Sequence, residues 1–134
     1  MPFVNVRLAV EPSIEVTTRT IEALTDLTVR FLGKERPRTT VVVDYVPWRQ
    51  WSRGGAWGGF FVEAKITAGT NSPGEKARYV HEASCALQAI TGLSGYVAID
   101  EIDAGSWGHG GETQEARMHA LQRSAHVQAG SPQG

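Results

Sequence analysis

The sequence predicts an α/β (α+β) fold made of two tandem strand–helix–strand units. Together they form one four-stranded mixed sheet with two helices on one face. Three observations carry this. First, a shift of 56 residues matches the chain to itself without a gap: Val6 falls on Val62, Val41 on Val97, Val43 on Ile99 and Asp44 on Asp100. Second, each half ends alike, in Trp51-x-x-Gly54-Gly55 and Trp107-x-x-Gly110-Gly111. Third, each half sets a helix-period apolar stripe between two extended apolar runs. Two copies are too few for a solenoid, which needs at least about three. They should therefore close into one domain over residues 1–111, with repeats 1–57 and 58–111. Residues 112–134 are left as a C-terminal tail, partly helical or disordered.

The first strand is read over Phe3 to Val10. Pro2 suits only its first position, because a ring nitrogen offers no N–H to a ladder. A helix follows from about Thr18 to Leu32, with Ile21, Leu24, Leu27, Thr28 and Phe31 on one side and Gly33 as its stop. The strand Thr40 to Val46 ends at Pro47. In the second half the strand is Phe60 to Thr67. Ser72-Pro73-Gly74-Glu75 then supplies an N-cap, a proline at the first helical position and a glutamate three after the cap. That helix runs to about Thr91, with Ala77, Val80, Ala83, Ala86, Leu87 and Ile90 expected inside and Gly92 as its stop. Tyr96 to Ile102 closes the core. From Glu115 to Arg123 a short helix is expected, and from Ala129 to Gly134 a disordered tail.

Two helices cover only one face of such a sheet. Yet Val41-Val42-Val43 and Tyr96-Val97-Ala98-Ile99 are apolar without alternation, as in strands buried on both sides. The uncovered face is therefore expected to pack against further copies, giving a homo-oligomer.

The 134 residues are 41% hydrophobic and 20% charged, with net charge −1. This balance gives no electrostatic footprint for nucleic acid or an anionic membrane. No apolar run reaches membrane length, so a cytoplasmic location is expected. The one cysteine, Cys85, excludes an internal disulfide and is read as a small buried residue. The four histidines show no ligand spacing with it, so no metal site is expected.

Met1-Pro2-Phe3-Val4-Asn5-Val6, the helix, Thr40-Val-Val-Val-Asp44 by its apolar run into Asp44, and the Trp51-x-x-Gly54-Gly55 ending resemble the tautomerase superfamily. This is the group of 4-oxalocrotonate tautomerase and macrophage migration inhibitory factor. The second half matches again but begins Gly58-Gly59-Phe60, where the family's unit has proline. The resemblance covers roughly residues 1–111 and implies a trimer of fused double units, most simply acting without a cofactor on a small-molecule substrate. It implies that Pro2, once Met1 is removed, is the general base in keto–enol tautomerisation of a small unsaturated or keto acid. A hydratase or dehalogenase using the same proline, and a non-catalytic oligomeric or small-ligand-binding member of the fold, are the alternatives.

The chain departs from the family where carboxylates are bound. The family's arginines after the first strand of a unit and within the second strand are replaced by Pro12-Ser13, Gly69-Thr70-Asn71, Val42 and Ala98. Candidates for polarising or binding a substrate are therefore Arg7 and Lys65 on the first strands, Lys34 after the first helix, and Asp100 on the last strand. Arg49 and Arg53 lie in the loop that in the family closes over a neighbouring site. Trp51 and Trp107 have two readings, a site-mouth aromatic or a residue packed under a hairpin. His109 is borne on a loop.

Overall fold

The structure, a computed structural model, describes residues 1–130, with side chains as far as Val127. It divides into two compact units, Met1–Glu101 and a second from Ile102 onward.

The first unit is built on β1 (Phe3–Leu8). It pairs in parallel with β2 (Thr40–Tyr45) and antiparallel with β5 (Phe60–Thr67), and β6 (Gly95–Ile102) lies beyond β5. The sheet order is thus β2-β1-β5-β6. Phe61 stacks on Tyr96 and Lys65 bonds Asp100, so four residues along β5 match four along β6 and the two strands run the same way. The expected mixed four-stranded sheet is therefore present.

Two helices of equal length cover one face: α1 (Ile14–Leu32) and α2 (Pro73–Thr91). The first begins four residues earlier than its sequence suggests. Val16-Thr17-Thr18 is a β-branched run of modest helix propensity, but Ser13 caps it, its Oγ accepting the Val16 N–H at 3.0 Å. The second helix has the expected reciprocal cap between Ser72 and Glu75. Gly33 and Gly92 end the two helices with φ of 66° and 73°, values that suit glycine.

The repeat needs one correction. Ser13 to Ser72 and Gly33 to Gly92 are 59 residues apart, whereas the flanking strands and hairpins keep the offset of 56. Three residues are gained between β5 and α2 and three are lost before β6. The 3₁₀ turn Arg36–Arg38 before β2 accordingly has no counterpart before β6.

The core lies between the helices and the sheet. Val4, Val6 and Leu8 alternate with exposed or half-exposed neighbours, as do Phe60, Val62, Ala64 and Ile66. Thr20, Leu24, Thr28 and Leu32 face them from α1, and Tyr79, Ala83 and Leu87 from α2. Ala77 and Val80, expected inside, are exposed, and Ile21 sits at the rim. Tyr79, not among the residues expected inside, is fully buried, hydroxyl included. That hydroxyl is 3.0 Å from Thr28 Oγ1, a buried bond joining the helices. Cys85 is another correction: it is exposed, with Sγ 3.7 Å from His81 Nε2 one turn earlier.

After β2 come a 3₁₀ turn (Trp48–Gln50) and the small hairpin β3 (Ser52–Arg53) and β4 (Ala56–Trp57). Gly54 and Gly55 turn it with φ of 59° and 93°, the left-handed pair that a two-residue hairpin loop requires.

The second unit repeats that hairpin as β7 (Gly108–His109) and β8 (Glu112–Thr113), with Gly110 and Gly111 at 63° and 85°. One bond is reproduced at the same offset: Gly58 N–H to the Trp51 carbonyl at 3.0 Å, and Gln114 N–H to the Trp107 carbonyl at 2.9 Å. A third helix, α3 (Gln114–Gly130), follows and is longer than the short helix expected over Glu115 to Arg123. Ala129 and Gly130 of the expected disordered tail belong to it, and residues 131–134 lie outside the described residues.

Candidate active site

Pro2 is fully buried at the head of the central strand β1. Its carbonyl accepts the Thr40 N–H at 3.3 Å, which fixes it beside β2. Phe3 stands opposite Lys65, so β5 runs on past Pro2 through Ile66 and Thr67. By strand alternation the ring of Pro2 belongs to the helix-covered face, with Val4 and Val6.

Lys34 lies where α1 ends, at this same end of the sheet. Its Nζ donates to Thr70 Oγ1 at 2.9 Å, and Thr70 in turn donates to the Thr67 carbonyl at 2.7 Å. Asn71 ties the loop to α1 through the Leu32 carbonyl (2.9 Å). Burial pushes the Lys34 amine below its ordinary range, and the negative charge of Glu75 offsets part of this. The surroundings of Lys34 thus disfavour positive charge.

Lys65 and Asp100 are near this end of the sheet but on its open face. Lys65 bonds Glu63 at 2.7 Å and Asp100 at 3.0 Å. Those two carboxylates raise its proton affinity, and Lys65 in turn holds Asp100 below the usual carboxylate range. A lysine already serving two carboxylates is poorly placed to act as an anion clamp. Asp44, the repeat partner of Asp100, is likewise held, by Asn5 Nδ2 at 2.8 Å. Glu101 pairs with Lys76 at 3.1 Å.

Arg7 stands opposite Asp44 and Phe61, toward the other end of β1. It is five residues beyond Pro2, about 16 Å at the rise of a strand. Trp51 is also distant from Pro2 and packs on Gly59. A Cβ added at Gly59 would come 2.8 Å from Trp51 Nε1. This fits the reading of Trp51 as a residue under its hairpin. Trp107 and His109 belong to the second unit, where Trp107 is partly buried and His109 is exposed on β7 opposite Glu112.

The structure also opens a cavity of about 430 Å³ that sequence reading did not anticipate. Val10, Glu11, Pro12, Tyr45, Val46, Pro47, Trp48 and Arg49 line it, at the far ends of β1 and β2. The legible signal was the crowding of aromatic residues and prolines around Arg49. Among the described residues no group of three or more His, Cys, Asp or Glu side chains could hold a metal ion, and no helix is long and apolar enough to cross a membrane.

Residues 2–58 match the family model for tautomerase enzymes. No curated protein matches the sequence. Solved structures do. Pt0534 inactivated by 2-oxo-3-pentynoate has a TM-score of 0.79 at 16% identity, over 86% of this chain and 98% of that one. The Q0 fused 4-OT wild-type symmetric trimer also scores 0.79, at 19% identity, over 86% of this chain and 98% of that one. The macrophage migration inhibitory factor-like protein of Entamoeba histolytica scores 0.73 at 16% identity, over 84% of this chain and 97% of that one. Identities this low establish a shared fold.

Proposed function

The chain belongs to the tautomerase superfamily, and we propose that it is a tautomerase whose general base is Pro2 after removal of Met1. The observation that carries this reading is the burial of Pro2 at the head of the central strand, at the sheet end where burial depresses the amine of Lys34. While Met1 is attached, the Pro2 nitrogen is an amide without base character. Freed, it is a secondary amine on a rigid ring. A free terminal amine titrates near about 7.7–8.0, and both burial and a nearby ammonium lower that value. A largely neutral amine at pH 7 is a competent base.

The step balances within the substrate. The nitrogen lone pair takes the enol O–H proton, the O–H electrons form the carbonyl, and the C=C pair takes a proton at carbon from the same ammonium. Lys34 is the group at this end that would stabilise charge on oxygen. The substrate class is a small keto or enol acid.

The same reading includes a trimer. Support comes from the open sheet face, where Phe3 is 38% and Tyr96 52% exposed beside charged residues, and from the fused 4-OT trimer with the same fold. Light scattering should give three times the 14.5 kDa chain mass.

Intact mass should show loss of Met1. Tautomerisation of phenylenolpyruvate should fall at least about a hundredfold in Pro2→Ala, the usual scale for a general base, with the oligomer intact. Equal rates in the two proteins would dismiss Pro2 as the base.

A further inference from the structure

We propose that Thr70 is a positioning residue for the candidate site: its hydroxyl holds the Lys34 amine where that amine stabilises charge on the substrate oxygen. The proposal rests on the role given to Lys34 above. It adds that the second half of the chain, which has glycine where the first has Pro2, sets the geometry of the first half's site.

The reach of β5 makes this possible. β1 ends at Leu8, whose partner in the 56-residue repeat is Ala64, yet β5 continues to Thr67. Lys65 stands opposite Phe3, so a strand ending at Ala64 would stop short of Pro2. The added residues carry the chain past the Pro2 end, where the loop from Ala68 to Asn71 meets the end of α1. Asn71 Nδ2 donates to the Leu32 carbonyl at 2.9 Å. That carbonyl closes α1, and the helix itself offers it no donor. The loop is thus pinned two residues before Lys34.

Within this loop the Thr70 hydroxyl has one role left to it. It carries a single proton. Its two neighbours other than Lys34 are acceptors, the Thr67 carbonyl at 2.7 Å and Asn71 Oδ1 at 3.4 Å. The proton goes to the nearer one, which leaves a lone pair for Lys34 Nζ at 2.9 Å. Among the described residues this is the one hydrogen bond that the Lys34 side chain makes. A lysine ammonium is a point charge on a flexible stem, so this bond and the partial burial decide where it sits. Glu75 keeps it charged. Hydrogen bonds from Ser72, its N–H at 2.8 Å foremost, hold the Glu75 carboxylate below the usual range. Burial lowers the Lys34 amine, and the Glu75 charge offsets part of that.

Steady-state tautomerisation of phenylenolpyruvate by the full chain tests this as a double-mutant cycle. Thr70→Val should lower kcat about tenfold, the scale of a lost hydrogen bond to a charged group, and leave KM within about twofold. Thr70→Ser should restore most of the rate. In the Lys34→Met background Thr70→Val should cost less than about twofold, because the hydroxyl then has no amine to hold. An unchanged kcat in Thr70→Val, or the same loss with and without Lys34, would overturn the proposal. Thr70 is exposed, so these variants should keep the fold. NMR titration of carbon-13-labelled lysine ε-carbons, with Lys34→Met assigning the signal, gives a second readout that needs no turnover. Released from Thr70, the amine turns to water, and in Thr70→Val its pKa should rise toward the ordinary 10.5. An unchanged titration would equally overturn the proposal. Equal rates in Pro2→Ala and the parent would dismiss Pro2 alone and leave the cycle to decide Thr70. A parent without activity would sink the tautomerase reading, and the titration would then decide whether Thr70 holds Lys34.

Discussion

The buried bond between Thr28 and Tyr79 lets the two halves be uncoupled by design. Both side chains are 0% exposed, and their oxygens are 3.0 Å apart across the α1–α2 contact. Thr28 Oγ1 has a second partner, the Leu24 carbonyl at 2.6 Å, whereas Tyr79 leans on Thr28. Tyr79→Phe therefore removes one hydrogen bond and orphans nothing, for a loss of about 1 kcal/mol. Thr28→Val leaves a phenol hydroxyl buried without a partner, for about 2 kcal/mol. With both changes an apolar pair of similar shape replaces the polar one, and the double variant should lose less than the sum, by about 1 kcal/mol or more. Urea unfolding at fixed protein concentration measures all four proteins. Additivity within about 0.3 kcal/mol would show that the bond adds no coupling and would refute the reasoning.

The same hydroxyl sets a pH signature. Burial raises the Tyr79 pKa above its ordinary value of 10.0. The unfolded chain therefore releases that proton first. The contribution is fully present below the unfolded pKa and is lost as pH rises from there toward the folded pKa. Tyr79→Phe should lack this alkaline loss.

Further outcomes follow from local geometry. Thr20 Oγ1 is buried without a hydrogen-bond partner among the described residues, so Thr20→Val should stabilise the protein by about 1 kcal/mol in the same urea assay; a loss of stability would mean that the hydroxyl is satisfied. Gly95→Ala would drive a Cβ into the Phe60 carbonyl oxygen and to 2.6 Å from its ring carbons, so β6 must shift off β5. A cost of more than about 3 kcal/mol is expected, and a melting temperature equal to the parent's would contradict that packing.

How much of this could be read from residues alone varies with the kind of signal. The strands and both helix stops were legible because Pro47, Gly33, Gly92 and the Ser72 cap are local chemistry. The start of α1 was missed because the helix propensity of Val16-Thr17-Thr18 spoke against what Ser13 does. The inward face of α2 was misread because Tyr79 and Thr28 hide a polar pair, and pairing depends on the other helix. The place of Pro2 at the head of a buried strand was legible by position. The double engagement of Lys65 was not, because Glu63 and Asp100 reach it from one strand neighbour and one across the sheet. The crowding of aromatic residues and prolines around Arg49 was legible, but the cavity itself was not, for the same reason: its walls come from two separate stretches of chain.

The antiparallel register of β1 and β5 sets Val6 directly across from Val62, its own partner in the 56-residue repeat. The local twofold axis relating the paired strands therefore passes between these two valines. Every position on β1 has a symmetry mate on β5, and each change along one strand is felt by its counterpart's neighbours. The mate of Pro2 is Gly58, whose nitrogen lies in mid-chain and is bonded to the Trp51 carbonyl at 3.0 Å. Whatever amine chemistry one end of the pair acquires, the other is barred from it by covalent structure. If Pro2 is the base, the duplication leaves an asymmetric division of labour: one half is held to its sequence by chemistry at its head, while the other is free to change wherever packing permits.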